Sequence, residues 1–243
     1  MMPVMKVSVV IPAFNEEKLI GACLDSVRAA FDAAGAEHEV IVCDNNSSDA
    51  TGALAAARGA RVVFEPLNQI GRARNSGAAA AGGDWLLFLD ADSALSQATL
   101  GEALALMRSG RVAGGGALIA FDPAPPAWGR ALTGLVNLLC RWFRLAPGSF
   151  LFCRREAFAA VGGFSPLLYA AEELALSRAL RRWGLARGLG FAIITKAPHI
   201  SSGRKFRLYT FTELMVQAFK FLLRPFSSLK KPSRLGVFYE GRR

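Results

Sequence analysis

The hydrophobic pattern in the first half of the chain changes period several times. "KVSVVIP" is a short β-branched run that Pro12 brings to a stop. In "NEEKLIGACLDSVRAAFDAAG", Leu19, Cys23, Leu24, Val27 and Phe31 recur at helical spacing and share one face. Asn15 is placed to cap that helix and Gly35 to follow its end. "HEVIVCD" reads as a second strand. "NNSSDATGALAAARG" opens on capping residues and continues as an alanine-rich helix to Gly59. "RVVFEP" is a third strand, "GRARNSGAAAAGG" a short helix of small residues, and "DWLLFLD" a fourth strand.

Strands alternating with helices predict βαβ units, and so an α/β chain with a mainly parallel central sheet flanked by helices. Such sheets bind ligands beyond the carboxyl ends of their strands. Here those ends carry Pro12-Ala13-Phe14-Asn15-Glu16, Asp44-Asn45-Asn46-Ser47, Glu65-Pro66 and Asp90-Ala91-Asp92. Polar side chains therefore converge on one rim.

The second half is less regular. "SQATLGEALALMRSG" predicts an amphipathic helix, and "VAGGGALIAF" a strand whose glycines imply close backbone approach. "PAPPAWG" is a loop, and residues 127–146 are apolar with interspersed arginine. "REAFAAVGGF" and "EELALSRALRRWG" read as helices, the second closed by Gly184, and "GFAIIT" as a late strand. In the C-terminal stretch, Phe211, Leu214, Met215, Ala218, Phe219, Leu222 and Leu223 follow helical spacing among lysines and arginines. A basic amphipathic helix of this kind either lies on an anionic membrane or packs its apolar face on the domain.

Composition narrows the partners. The length of 243 residues suits one α/β domain with a small appendage, and 52% apolar residues supply a large core. A formal net charge of +10 calls for an anionic partner: a nucleoside diphosphate, nucleic acid or an acidic membrane surface. No stacking-aromatic pattern or reader motif accompanies the charge, so nucleic acid is not expected. Cys23, Cys43, Cys140 and Cys153 form no CxxC pair and sit in apolar segments, which fits reduced, buried thiols. Met1 to Lys6 lacks a signal-peptide pattern. The longest apolar candidate, "ALTGLVNLLCRWFRLAPGSFLF", is broken by Arg141, Arg144 and Pro147, short of the roughly 20 residues of a spanning helix. The expectation is a cytoplasmic protein, soluble or peripheral on the inner face of a membrane. Nothing in the sequence signals an oligomeric state.

The rim residues carry the chemistry. On an extended chain Asp90 and Asp92 point the same way. Two such carboxylates repel unless a cation lies between them. Oxygen ligands suit Mg²⁺ or Mn²⁺, commonly held by one or two carboxylates and substrate phosphates. The same residues also suit a strand end followed by a capped turn. Asp44 can accept from the imino N–H of a base, or belong to a loop rich in capping residues. Arg72 and Arg74 suit phosphate oxygens near a helix N-terminus, or a solvated surface. Glu172 and Glu173 open a helix whose dipole favours acids in its first turn; facing the rim, one of them would serve as a general base. His199, in the polar stretch "KAPHISSGRK", either completes a metal shell or hydrogen-bonds at the surface.

In order and together, "VSVVIPAFNEE", "EVIVCDNNSSDAT", "GRARNSGAAAAGGDWLLFLDADS", "AFAAVGGF" and "AEELALSRALRRWG" resemble the family 2 glycosyltransferases of the GT-A fold, over residues 6 to about 205. The resemblance implies a Rossmann-like sandwich with a nucleotide-binding half over about 1–95, an acceptor half over about 96–205, and residues 206–243 as a basic amphipathic appendage. It implies a metal-dependent, inverting transfer of a sugar from a UDP- or GDP-linked donor to a hydroxyl acceptor; a C-terminal segment lying on a membrane would make that acceptor lipid-linked or a cell-envelope glycan. Pro12, Ala13, Asn15 and Glu17 would line the nucleotide pocket, Asp44 would read the base, and Arg72 and Arg74 would lie near the nucleotide. Asp90 and Asp92 match the DxD motif, where Mn²⁺ or Mg²⁺ bridges to the diphosphate. His199, with Arg204 and Lys205, falls where some relatives carry metal- or phosphate-contacting residues. Glu172-Glu173 matches the family's Glu-Asp pair, whose second member is the usual base. Here that member is Glu, one methylene longer. The change leaves room for a protein that keeps the fold and binds nucleotide or lipid without catalysis. A nucleotidyltransferase would carry a glycine-rich phosphate loop after the first strand, and "PAFNEEK" has none.

Overall fold

The computed structural model describes residues 5–204; the amphipathic segment expected over 206–243 lies outside the described residues. Among the described residues, seven strands form one sheet: β1 (Val7–Ala13), β2 (His38–Asp44), β3 (Arg61–Phe64), β4 (Trp85–Leu89), β5 (Val112–Asp122), β6 (Phe150–Arg154) and β7 (Gly190–Ser202). The helices are α1 (Ile20–Ala34), α2 (Thr51–Ala57), α3 (Ile70–Ala79), α4 (Gln97–Arg108), α5 (Ala127–Phe143), α6 (Arg155–Val161) and α7 (Glu172–Leu185). The strand order is β3-β2-β1-β4-β6-β5-β7. β1 pairs in parallel with β2 and β4, β2 with β3, and β5 with β7, while β6 runs antiparallel to both β4 and β5. The mainly parallel α/β sheet expected from the sequence is present.

The run "WLLFL" in β4 is apolar throughout because both faces of the sheet are covered. Trp85, Leu87 and Leu89 join the core under α1 and α4. Leu86 and Phe88 join the opposite core, with Ala78 of α3, Phe158 of α6 and Leu176 and Leu180 of α7. The four cysteines are free and buried, as expected. The glycines of β5 mark close approach: a Cβ at Gly114 would lie 2.6 Å from the Phe152 carbonyl oxygen, and one at Gly116 would lie 2.5 Å from Ala146 Cβ.

Five local details differ from the sequence reading. Pro12 does not stop β1, which continues to Ala13; its pairing with β4 ends at Val10, so Pro12 lies beyond the stretch paired on both sides. Asn15 does not cap α1, whose N-cap is Leu19; it takes a left-handed φ of 51° and serves the neighbouring loop. Gly35 does end α1, at φ 55°. Gly184 lies inside α7 rather than closing it; a Cβ there would sit 2.8 Å from Ala113 Cβ, so the glycine lets the helix approach β5. β6, in "GSFLFCRR", had no strand assigned. The late strand runs past "GFAIIT" to Ser202, so His199 is in β7 and fully buried instead of on a polar loop.

Candidate active site at the carboxyl ends of the strands

The loops after β1 and β2 are latched together. The Asn15 N–H donates to Ser47 Oγ at 3.0 Å, and Asn15 Oδ1 accepts from the Ser48 N–H at 2.7 Å. The Glu16 N–H donates to Thr51 Oγ1 at 2.7 Å, and the Glu17 carboxylate accepts from the Ala50 N–H at 3.3 Å. Asp44 Oδ1 accepts from the Ser47 N–H at 3.0 Å, while its other oxygen faces Gly52 in the first turn of α2. Pro12 and Ala13 are buried and floor this rim; Asn15 and Asp44 are half-buried along it, and Glu17 is exposed at its outer edge.

Arg74 organises the centre. It is buried to 1% exposure, and its guanidinium donates to Asp90 Oδ1 at 2.8 Å, Glu173 Oε1 at 2.8 Å and Glu172 Oε1 at 3.0 Å, over the Phe164 ring. Burial alone would weaken its charge, but Asp90, Glu173 and Glu172 together hold it protonated above its ordinary value. Arg74, expected near the nucleotide, meets these three carboxylates. Arg72, half-buried two residues earlier, lies 3.5 Å from Glu65. One cation cannot ionise all of its partners equally. Burial, then the Glu173 charge, push Glu172 above the ordinary carboxylate range and outweigh Arg74. Glu172 Oε2 is buried without a hydrogen-bond partner, as suits a neutral carboxyl. Glu173 is the member of the pair that opens to the rim, at 14% side-chain exposure against 2% for Glu172.

The far side of the rim holds Asp92, His199 and Arg204. Arg204 lies 3.1 Å from Glu16 and 3.8 Å from Asp92. His199 stacks on Phe150 at 5.2 Å, and neither ring nitrogen has a hydrogen-bond partner. Burial pushes its pKa down to about 4, against the pull of Asp90, so the imidazole is neutral with a lone pair to offer. Among the described residues, no three His, Cys, Asp or Glu side chains converge tightly enough to hold a metal by themselves, so the trio Asp90, Asp92 and His199 is not a closed site. Asp90 is turned toward Arg74. An orphaned neutral imidazole on the same rim as a carboxylate fits a divalent ion whose remaining ligands come from substrate phosphates.

Sequence reading did not single out Glu16 or Phe164. Glu16 was in view as the first acid of "FNEE", but its ion pair with Arg204 spans 188 positions. Phe164 follows the two left-handed glycines that end α6, Gly162 at φ 80° and Gly163 at φ 70°, and nothing in "GGF" announces an arginine above the ring.

Comparison with known proteins agrees with this architecture. Residues 8–162 match the family model described as glycosyl transferase family 2, and the chain belongs to that family. It is 36% identical over 99 residues to an uncharacterized glycosyltransferase of Mycobacterium tuberculosis, covering 41% of this chain and 42% of that one. It is 39% identical over 94 residues to the glucosyl-3-phosphoglycerate synthase of the same organism, covering 35% of this chain and 28% of the relative. The matched stretch thus spans less than half the length of these curated relatives. Among solved structures, the Staphylococcus aureus TarS fragment 1–349 superposes with a TM-score of 0.64 at 19% identity, covering 84% of this chain and 62% of that one. Glucosyl-3-phosphoglycerate synthase of M. tuberculosis in complex with Mn²⁺, UDP and glucosyl-3-phosphoglycerate gives 0.61 at 22%, covering 87% and 75%. The Pyrobaculum calidifontis mannosyltransferase with GDP-mannose and Mn²⁺ gives 0.61 at 18%, covering 88% and 64%. At these identities the superpositions establish the GT-A fold.

Proposed function

We propose that this chain transfers a sugar, with inversion, from a UDP- or GDP-linked donor to a hydroxyl acceptor on a lipid or cell-envelope glycan. The observation that carries this reading is the Arg74 clamp. It sets Glu173, an acid open to the rim, beside Asp90, the first carboxylate of the DxD pair, with 2.8 Å contacts to each. Membership of the glycosyl transferase family adds support, as do structural neighbours solved with UDP or GDP-mannose and Mn²⁺.

In this reading Asp44 accepts a hydrogen bond from the nucleobase, between the latched loops carrying Pro12, Ala13, Asn15 and Glu17. Arg72, at the N-terminal end of α3, faces the diphosphate. Asp92 and His199 would hold Mn²⁺ or Mg²⁺, which when bound supplies Lewis-acid stabilisation of charge on the leaving diphosphate. Glu173 removes the acceptor hydroxyl proton as that oxygen attacks the anomeric carbon opposite the breaking bond to the diphosphate. Glu172 stays neutral behind it, which keeps a second negative charge away from the base.

Thermal shift of the full chain with UDP, GDP and their sugars, each with and without Mn²⁺, tests the donor. Stabilisation by one base, strengthened by metal, is expected. No shift with any nucleoside diphosphate plus metal would overturn the reading.

A further inference from the structure

We infer that α5 docks the protein onto an anionic phospholipid bilayer. The helix is turned inside out. Toward β5 it presents Gly129, Thr133, Asn137 and Cys140. Asn137 brackets one strand residue, donating to the Ile119 carbonyl at 2.8 Å and accepting from the Ile119 N–H at 3.0 Å, where β5 slips register against β7. The large apolar residues face outward: Leu132, Leu135, Val136, Leu138, Leu139, Trp142 and Phe143 are all more than a third exposed, and Trp142 reaches 80%. At about 100° per residue they fall on one side of the helix. Contiguous apolar surface of this kind is rare on monomeric soluble proteins unless something binds it.

Charge selects the occupant. α5 has no acidic residue, and none occurs between Asp122 and Glu156, whereas Arg130, Arg141 and Arg144 lie on or beside the helix. Arg130 and Arg141, about three turns apart, share one flank of the apolar face. Arg141 and Arg144 also line a cavity of about 380 Å³ against β7. An apolar face of Leu, Trp and Phe with arginine along its border is the pattern of a helix lying in a bilayer interface, its cations among anionic headgroups. At 17 residues with exposed arginines it does not span; no described helix is long and apolar enough to do so. The C-terminal segment, with Lys220, Arg224, Lys230 and Lys231, has the same sign as α5 and is the less favoured cover. A second copy would bring like arginine borders together.

The placement bears on the acceptor. Beyond Phe143 the chain runs through Leu145 and Gly148 to Ser149, whose carbonyl accepts from the Asp90 N–H at 3.4 Å. A bilayer against α5 would therefore lie next to the rim. This step extends the acceptor part of the proposed function, but vesicle binding is measured without donor or transfer, so the two readings fail independently.

The test uses the full chain, vesicles of phosphatidylcholine with and without phosphatidylglycerol, and brominated lipids as quenchers. The four tryptophans are Trp85, Trp128, Trp142 and Trp183, and residues 205–243 contain none. Binding to phosphatidylglycerol vesicles is expected, with bromolipid quenching that Trp128→Phe combined with Trp142→Phe removes, since both tryptophans lie on the outward arc of α5. Leu135→Glu combined with Leu139→Glu should weaken binding at least about tenfold while leaving the melting temperature near wild type, because both side chains are exposed. The inference is overturned by absence of binding, or by binding whose quenching survives Trp128→Phe with Trp142→Phe and so comes from Trp85 or Trp183. It is also overturned if the glutamate double variant binds as tightly as wild type, which would give the docking to another segment. A dimer without vesicles that the double variant dissolves would give the face to a second copy and overturn it too.

Discussion

Arg74 and Glu173 meet at 2.8 Å although 99 positions separate them. The same guanidinium reaches Asp90 at 2.8 Å, so it joins the helix that opens the second half of the site to the strand that closes the first. An arginine enclosed among carboxylates holds Glu173 and Asp90 in place relative to each other.

Removing that charge should be costly. Arg74→Ala leaves Glu172, Glu173 and Asp90 clustered without a cation, and breaking a buried ion pair from one side typically costs about 3–5 kcal/mol. Arg74→Lys should recover only part of this, because a point charge cannot fork to three carboxylates. Urea unfolding measures the loss. The deficit should shrink toward acidic pH, where the stranded carboxylates take up protons. A deficit of the same size at every pH would mean that packing over Phe164, not charge, is what Arg74 supplies.

Glu172 gives stability a pH dependence of its own. Burial, followed by the Glu173 charge, raises its folded pKa from 4.5 to about 8. A carboxyl held neutral by folding contributes stability that is fully present below the unfolded value and lost as pH rises through the folded one. Between those values the contribution falls by about 1.4 kcal/mol per pH unit. Glu172→Gln keeps the shape and removes the titration. Relative to wild type it should gain stability as pH climbs from 5 toward about 8, read from paired unfolding curves. Parallel curves would show that Glu172 is ionised beside Arg74.

The sheet was legible because its signals are local. Continuous apolar runs, helical spacing in "LIGACLDSVRAAF" and strand ends rich in Asp, Asn and Glu each lie within a few residues. They also place Asp44, Asp90 and Asp92 on one edge. The partners of Arg74 were not legible, since they lie 16, 98 and 99 positions away and no periodicity reports such distances. His199 read as a loop residue because "KAPHISSG" is polar, yet pairing of Ile119 with His199 along β5 carries the strand through it. α5 read only as an apolar stretch with interspersed arginine over 127–146, with no helix assigned. Its leucines look like core, while the side that packs is Gly129, Thr133, Asn137 and Cys140, whose spacing is helical but whose chemistry does not look buried. Burial is decided by what lies opposite, and the sequence of one helix does not contain that.

Asp92 and His199 can be tested as a pair. Asp92→Asn and His199→Phe should each lower donor affinity in Mn²⁺ by about tenfold or more, and leave affinity in chelator near the wild-type chelator value. His199→Phe conserves the stack on Phe150, so the fold should be kept. Titration calorimetry with the nucleoside diphosphate, with and without Mn²⁺, separates the two terms. Equal wild-type affinity in metal and in chelator would remove both residues from metal binding.

Glu173 carries the chemical step in the proposed function, and its length is the unusual feature. Glu173→Gln should preserve nucleotide affinity, since Glu173 is held by Arg74 while Asp44 is held by the Ser47 N–H, and lower turnover by about 10²–10⁴-fold, the range for a lost general base. Glu173→Asp separates reach from charge. If the longer side chain is needed to touch Arg74 and the acceptor hydroxyl together, the aspartate variant should bind donor normally and lose part of its turnover. It should also lose some stability through a loosened contact with Arg74. If aspartate performs as well as glutamate, the additional methylene has no catalytic consequence. Wild-type turnover in Glu173→Gln would assign the proton to another group, and the neutral, enclosed Glu172 has no opening through which to take it.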